Sequence, residues 1–369
     1  MDLVSLWHDA SAPTLPRGIE IWDAHTHTGA NDPDGVVGTA SRLLDKLADA
    51  GHAGAVVMSS MEPLGYPQAN DRILKEAGIS NGRLIPFLRV DPRLGSVAIK
   101  EAERCLALGA RGIKMHPRGE HFALSHPSVA DIGRVAAAHG VPILFHAGRG
   151  IPTLGDDALN LIDSVDGLNI ILGHAGVSDL SWIGREAASH PGLFFDTAWW
   201  STPSLLMLFA TVAPDRILYA SDTPYGSPKM ISTVVMRVAA AAGYQPDAYH
   251  AVFGRNLLDL VEGRRPDKVG EPVGSGIMPV DPVGYTVYAS FHAAITQILR
   301  GGDPGEAISL GKLAVRVPDD HPHAAMFAAV SATMEHIDFT SPRRSDIIRP
   351  LIVAAAAVLT PEQPLPRIA

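Results

Sequence analysis

A single cysteine, Cys105, stands in 369 residues. That excludes an intramolecular disulfide framework and any metal centre built from several thiolates. Cys105 lies in the helical-looking stretch EAERCLALGA and reads as a small buried residue. Positive charge is not in excess: 30 Lys and Arg face 39 Asp and Glu, a net charge of -9. A global basic footprint for nucleic acid or an anionic membrane surface is therefore absent. Long hydrophobic runs are absent too. The most apolar late stretch, LIVAAAAVL (351–359), is too short to span a bilayer. The opening MDLVSLWHDASAPTLPRG has no basic segment leading into an apolar run. A cytoplasmic protein is expected, acting on a small molecule. What the chain does have is apolar residues, 46% of the total, ample for a sizeable core and incompatible with general disorder.

Eight short β-rich runs recur through the first two thirds of the chain. They are IEIWDAHTH (19–27), GAVVMS (54–59), RLIPFLRV (83–90), GIKMHP (112–117), VPILFHAG (141–148), NIILGHAG (169–176), LFFDTAW (193–199) and RILYASD (216–222). Helical patterns lie between most of them, such as ASRLLDKLADAG (40–51) and HPSVADIGRVAAAHG (126–140), each ending in a glycine suited to a helix stop. Alternating strands and helices imply parallel pairing. Eight units predict an α/β (β/α)8 TIM barrel, with a doubly wound open sheet as the alternative. After residues 1–18, the barrel is expected over 19–263. A Gly- and Pro-dense linker at 264–284 follows, then an all-helical C-terminal appendage at 285–369, with segments near 285–300, 304–315, 322–337 and 344–359. Two readings of the appendage stand: packing against the barrel or a subunit partner in a homo-oligomer, or a lid over the active site.

In such barrels chemistry is built at the C-terminal ends of the strands. The first strand ends in His25 and His27, which alternation places on one face. The fifth ends in His146, the sixth in His174 and the eighth in Asp222. Imidazoles with a carboxylate suit a divalent transition metal, zinc above all.

DAHTHTG (23–29), RVDPR (89–93), FHAG (145–148), GHAG (173–176), SDTPYG (221–226) and YHAVFGRNLLDL (249–260) resemble the amidohydrolase superfamily. More narrowly, they resemble the amidohydrolase-related branch that also holds metal-dependent decarboxylases. The resemblance covers residues 19–263 and implies a distorted barrel. It implies His25, His27, His146 and Asp222 as ligands of one divalent ion, with Asp222 also the proton shuttle. His174 is implied as the residue that orients water or substrate, or binds a second ion. Lys114 has three readings: a carboxylated bridge between two ions, an ammonium that holds a substrate carboxylate, or a structural ion pair.

Arg89, Lys114, His116, Arg118 and Arg149 all end or follow barrel strands, which favours an anionic substrate. The alternative is local pairing of Arg89 and Arg118 with Asp91 and Glu120. Arg149, three residues after His146, is the preferred substrate anchor, with His116 beside it and Trp199 as an aromatic wall. The leading expectation is a metal-dependent hydrolase of a lactone, ester or amide, with Asp222 and His174 catalytic. A non-oxidative decarboxylase is the alternative, and a non-catalytic metal-binding barrel the second alternative.

Overall fold

In the computed structural model, which describes residues 2–33, 35–148, 154–277, 281–363 and 366, eight short parallel strands follow one another around a ring. They are β1 (Trp22–Thr28), β2 (Gly54–Ser59), β3 (Leu84–Pro86, resuming after Phe87 as Leu88–Arg89), β4 (Ile113–Met115), β5 (Ile143–Phe145), β6 (Ile170–Leu172), β7 (Leu193–Asp196) and β8 (Ile217–Leu218). Phe87 hands the third strand from one neighbour to the other. Its N–H donates to Val57 O at 2.9 Å, and the next N–H, of Leu88, donates to Gly112 O at 3.0 Å. The seam between last and first strands is also bonded. Ala24 N–H donates to Tyr219 O and Asp222 N–H to His25 O, both at 2.9 Å, and His27 N–H donates to Thr223 O at 2.7 Å. An open sheet would leave those strands as edges, so the barrel reading holds over the doubly wound one.

Ala24, Val56, Met58, Phe87, Leu144, Ile171, Phe194 and Leu218 fill the barrel interior. Outside lie α2 (Ala40–Asp49), α3 (Pro67–Gly78), α4 (Ser96–Ala107), α5 (Pro127–Ala138), α6 (Gly155–Ser164), α7 (Leu180–Glu186), α8 (Thr202–Thr211) and α9 (Pro228–Ala241). Cys105 on α4 is fully buried, its thiol donating to Glu101 at 3.2 Å. The last barrel unit closes with α10 (Pro246–His250), a π-helical turn over Ala251–Arg255, and α11 (Asn256–Val261), whose Leu257 and Leu260 join the interior cluster.

Residues 1–18 carry no element in the sequence reading, yet they contain α1 (Leu3–Ser11), capped by Asp2 accepting from Val4 N–H at 3.1 Å. It packs on α9. The C-terminal region is helical: α12 (Pro282–Arg300), α13 (Gly305–Ala314), α14 (Ala324–His336) and α15 (Arg344–Leu359). Asp281 caps α12 ahead of Pro282, and Gly301 ends it in the left-handed conformation. Residues 351–359, read as a short apolar run, are all buried because α15 lies against α12, α9, α1 and α8. Its C-terminal end is tied down from α9. Buried Arg237 donates from Nε to Thr360 Oγ1 and from Nη2 to Thr360 O, both at 2.9 Å, and to Gln363 O at 3.2 Å. Among the described residues no helix is long and apolar enough to cross a membrane.

Candidate functional site

Strand β1 carries one more residue than β2 between Asp23 and Thr26, a bulge that contains His25. The two imidazoles of β1 converge across it: His25 Nε2 lies 3.1 Å from His27 Nε2. Asp222, four residues past the end of β8, reaches the same point, with Oδ1 3.6 Å from His25 Nε2 and 3.4 Å from His27 Nε2. Asp222 takes left-handed backbone angles (φ 56), strained for a residue with a Cβ. That geometry is held by its N–H on His25 O and by Gly226 N–H on its own carbonyl at 2.8 Å. The seam of the barrel therefore places the carboxylate against the histidines.

Proton positions follow from the partners. His25 Nδ1–H donates to Asp196 Oδ2 at 2.7 Å, and His27 Nδ1–H donates to the Ser59 carbonyl at 3.3 Å. Burial pushes both imidazoles well below their ordinary pKa, helped by Lys114, so each presents an Nε2 lone pair, that of His25 also within reach of Lys114 Nζ at 3.2 Å. Two such acceptors 3.1 Å apart cannot bond one another. With Asp222 Oδ1 they form a knot of lone pairs that calls for a cation. His25, His27 and Asp222 are indeed a group whose donor atoms all fall within 4.8 Å. The neutral imidazoles and the carboxylate are the protonation states a divalent metal needs.

His146 is outside that compact group. Its Nδ1 lies 2.9 Å from His174 Nε2, and His174 Nδ1–H donates to Ala198 O at 2.7 Å. With His174 Nδ1 as donor, His146 Nδ1–H donates to His174 Nε2, which leaves His146 Nε2 a lone pair. That nitrogen is buried with no hydrogen-bond partner among the described residues. The two rings approach Gly148 so closely that a Cβ there would lie 2.9 Å from His174 Cδ2 and 3.1 Å from His146 Cε1. His116 stacks on the far face of His146 with centroids 3.8 Å apart; its Nδ1 accepts from Gly119 N–H at 3.0 Å.

Asp196, at the end of β7, organises the inner ring. One oxygen holds His25; the other accepts from His174 N–H at 2.8 Å and Ala198 N–H at 3.0 Å. The link between Asp196 and His25 is legible only once ring closure brings β7 within reach of β1, with β8 between them. Lys114 is fully buried, with Nζ 3.2 Å from His25 Nε2. Burial, reinforced by Arg89, pushes it down to about 7. Arg89 pairs with Glu120 at 2.6 Å, not with Asp91, which holds Arg93. Glu120 also accepts from Tyr66 Oη and His116 N–H. Arg149 lies outside the described residues.

A cavity of about 490 Å³ opens over this centre. His146, His174 and Asp222 line its base, and Trp199 and Trp200 its side. Arg118 joins from the loop after β4. The loop after β8 and α9 add Tyr225, Met230 and Ile231, and α12 and α15 of the C-terminal region add Ile295, Leu299, Ile348, Arg349 and Ile352. Trp200 stacks on His292 of α12 at 4.9 Å, so the tryptophan pair both faces the cavity and seats the appendage. Asp222 is the member of the metal group that opens to this space: its side chain is 21% exposed, that of His25 0%. Burial pushes its carboxyl up to about 6, against the pull of His174 and Lys114.

A family model described as Amidohydrolase matches residues 22–259. No curated protein matches the chain. Among solved structures, the chain resembles a dihydroxybenzoic acid decarboxylase from Polaromonas sp. JS666 with bound manganese and 2-nitroresorcinol. The identity is 16% and the TM-score 0.53, over 66% of this chain and 97% of that one. It also resembles an amidohydrolase from Burkholderia multivorans (13%, TM-score 0.54, 66% and 99%). A TIM-barrel protein from Bordetella bronchiseptica is similar as well (14%, TM-score 0.55, 66% and 99%). At these identities the likeness is one of fold.

Proposed function

The chain is an enzyme of the amidohydrolase family, and from that premise we propose that it is a metal-dependent hydrolase, cleaving a C–O or C–N bond of a small anionic substrate such as a lactone, ester or amide. The observation that carries this reading is the placement of Asp222, at once against His25 and His27 and open to the cavity. Enzymes of this family depend on a metal, and the donor set here fits one divalent ion. His25, His27 and Asp222 would hold it, with the bare Nε2 of His146 as fourth donor. Two or more imidazoles with one carboxylate favour zinc. Such an ion supplies Lewis acidity to the scissile carbonyl and a more acidic water. Asp222 takes the water proton and returns it to the leaving group. His174 orients the reacting oxygen from the base of the cavity. Lys114, buried beneath His25, keeps positive charge near the carboxylates and does not itself line the cavity.

Decarboxylation is the second reading. The tryptophans and guanidinium groups around the cavity fit an aromatic carboxylate, the substrate class named for the Polaromonas neighbour. Turnover in ¹⁸O-labelled water separates the two. Hydrolysis places one label in the product, whereas carbon dioxide release without label in the product overturns the hydrolase reading. Asp222→Asn should lower turnover about 10²–10⁴-fold, with metal content measured in the same preparation. A fully metallated variant with near-normal turnover would place the proton shuttle elsewhere.

A further inference from the structure

The family match ends at residue 259, yet the cavity does not end with the barrel. On α15, Ser345, Ile348, Arg349 and Ile352 recur at helical spacing and line it together. Arg349 is half-buried. Among the described residues it has no ion pair and no hydrogen bond. Its neighbours explain why. Asp346, one turn earlier, is engaged by Ser341 Oγ at 3.0 Å and Ser345 Oγ at 3.4 Å. Asp49 is held by Lys229 at 2.8 Å. Lys46 shares a second cavity with Arg349, and its ammonium is pushed down by burial and then by Arg349 itself. Arg118, the other guanidinium on the cavity, already has an interaction of its own. Arg349 thus stands without an ion pair on a wall that also carries Ser345, Ile348 and Ile352, where the cavity adjoins that second one, lined by Asp49, Asp338 and Asp346.

A partly desolvated guanidinium without an acceptor is costly, and a carboxylate satisfies it with paired, charge-assisted hydrogen bonds. We propose that the C-terminal helices complete the active-site cavity, and that Arg349 binds the anionic end of a substrate with an apolar body. In this arrangement the reacting group lies at Asp222, the body lies between Trp199 and Ile295, and the distal carboxylate meets α15. The proposal rests on the enzyme reading above and assigns its substrate class: an amphiphilic acid carrying its charge away from the reacting bond. Arg349 is a specificity residue here, not a catalytic one.

The test uses the full-length, metal-loaded chain and direct binding, so that no turnover is needed. The probes are isophthalate, naphthalene-2,6-dicarboxylate and biphenyl-4,4′-dicarboxylate, each with its monoamide. One carboxylate can sit at the metal centre, and the graded lengths sample the reach to α15. For at least one pair the diacid should bind roughly 10–100-fold tighter than the monoamide, the range expected for a hydrogen-bonded charge. Arg349→Met keeps the apolar stem and should abolish that preference while leaving monoamide affinity nearly unchanged. Arg349→Lys should retain part of it. Arg349→Gln serves if the methionine variant does not fold, and thermal melts report folding of each. No diacid preference in the unaltered protein, including no binding of either probe, overturns the proposal. So does a preference that survives removal of the guanidinium. Stripping the metal tests the underlying reading separately. Affinities unchanged without metal would sink metal-centred binding, while the Arg349 comparison still decides the anion site.

Discussion

Asp196 shows how much one residue can do without touching substrate. Its two oxygens fix the His25 tautomer and the backbone of His174 at once. Such carboxylate–histidine contacts set ring orientation and raise the basicity of the ligating nitrogen. Asp196→Asn presents an amide NH₂ or a neutral oxygen to His25 Nδ1–H, and either choice disturbs one of the two jobs. The variant should fold and bind the divalent ion about 10–100-fold more weakly, measured by competition with a chelator. Unchanged metal affinity would reduce Asp196 to a structural group. Lys114 belongs to the same scale. Its position in GIKMHP placed it at a strand end with three roles open, and burial against His25 makes it a neighbour of the metal group outside the cavity lining.

At the scale of elements, α15 is the piece whose role changed most between sequence and structure. As LIVAAAAVL it is an apolar run too short for a membrane. In the fold it is a central helix of the outer layer, wedged between α12 and the barrel helices α8 and α9. Its end is held by a cation: Arg237 serves carbonyls at the negative end of the helix, a favourable place for a positive charge. Burial pushes Arg237 down to about 9, against the pull of the Glu362 carboxylate. Arg237→Met fills similar space and leaves Thr360 and Gln363 oxygens buried without a donor. A loss of about 1–3 kcal/mol is expected, read as a lower urea midpoint with an unchanged slope. A midpoint equal to that of the unaltered protein would show that packing alone seats α15.

Over the whole molecule, the apolar layer outside the barrel runs unbroken from α1 through α9 into α12, α14 and α15. The appendage is thus packed as part of the barrel's outer shell. A chain ending at Gly263 would strip α9 of its contact with α15, baring apolar surface around Met230 and Ile231 and leaving Arg237 without its partners. Each fully buried aliphatic side chain is worth about 1.5–3 kcal/mol, against a net stability of about 5–15 kcal/mol for a folded domain. The shortened chain should aggregate or bind a hydrophobic dye strongly. A monomer that melts cooperatively and holds metal as the full chain does would show that the barrel folds alone.

The barrel and the residues at its mouth were legible in the sequence because strand–helix spacing and strand-end position are local properties. Strand ends put His25, His27, His146, His174 and Asp222 on one side before any contact was known. Pairing across the barrel is not local. That Asp196 holds His25, that Arg89 takes Glu120 and leaves Asp91 to Arg93, and that His146 donates to His174 all depend on residues brought together by ring closure. The sequence likewise showed four helices after the linker without their address. Their period says which face is apolar but not what it covers. Only the packing of α12 and α15 onto α8 and α9 carried Ile295 and Arg349 to the same cavity as Asp222.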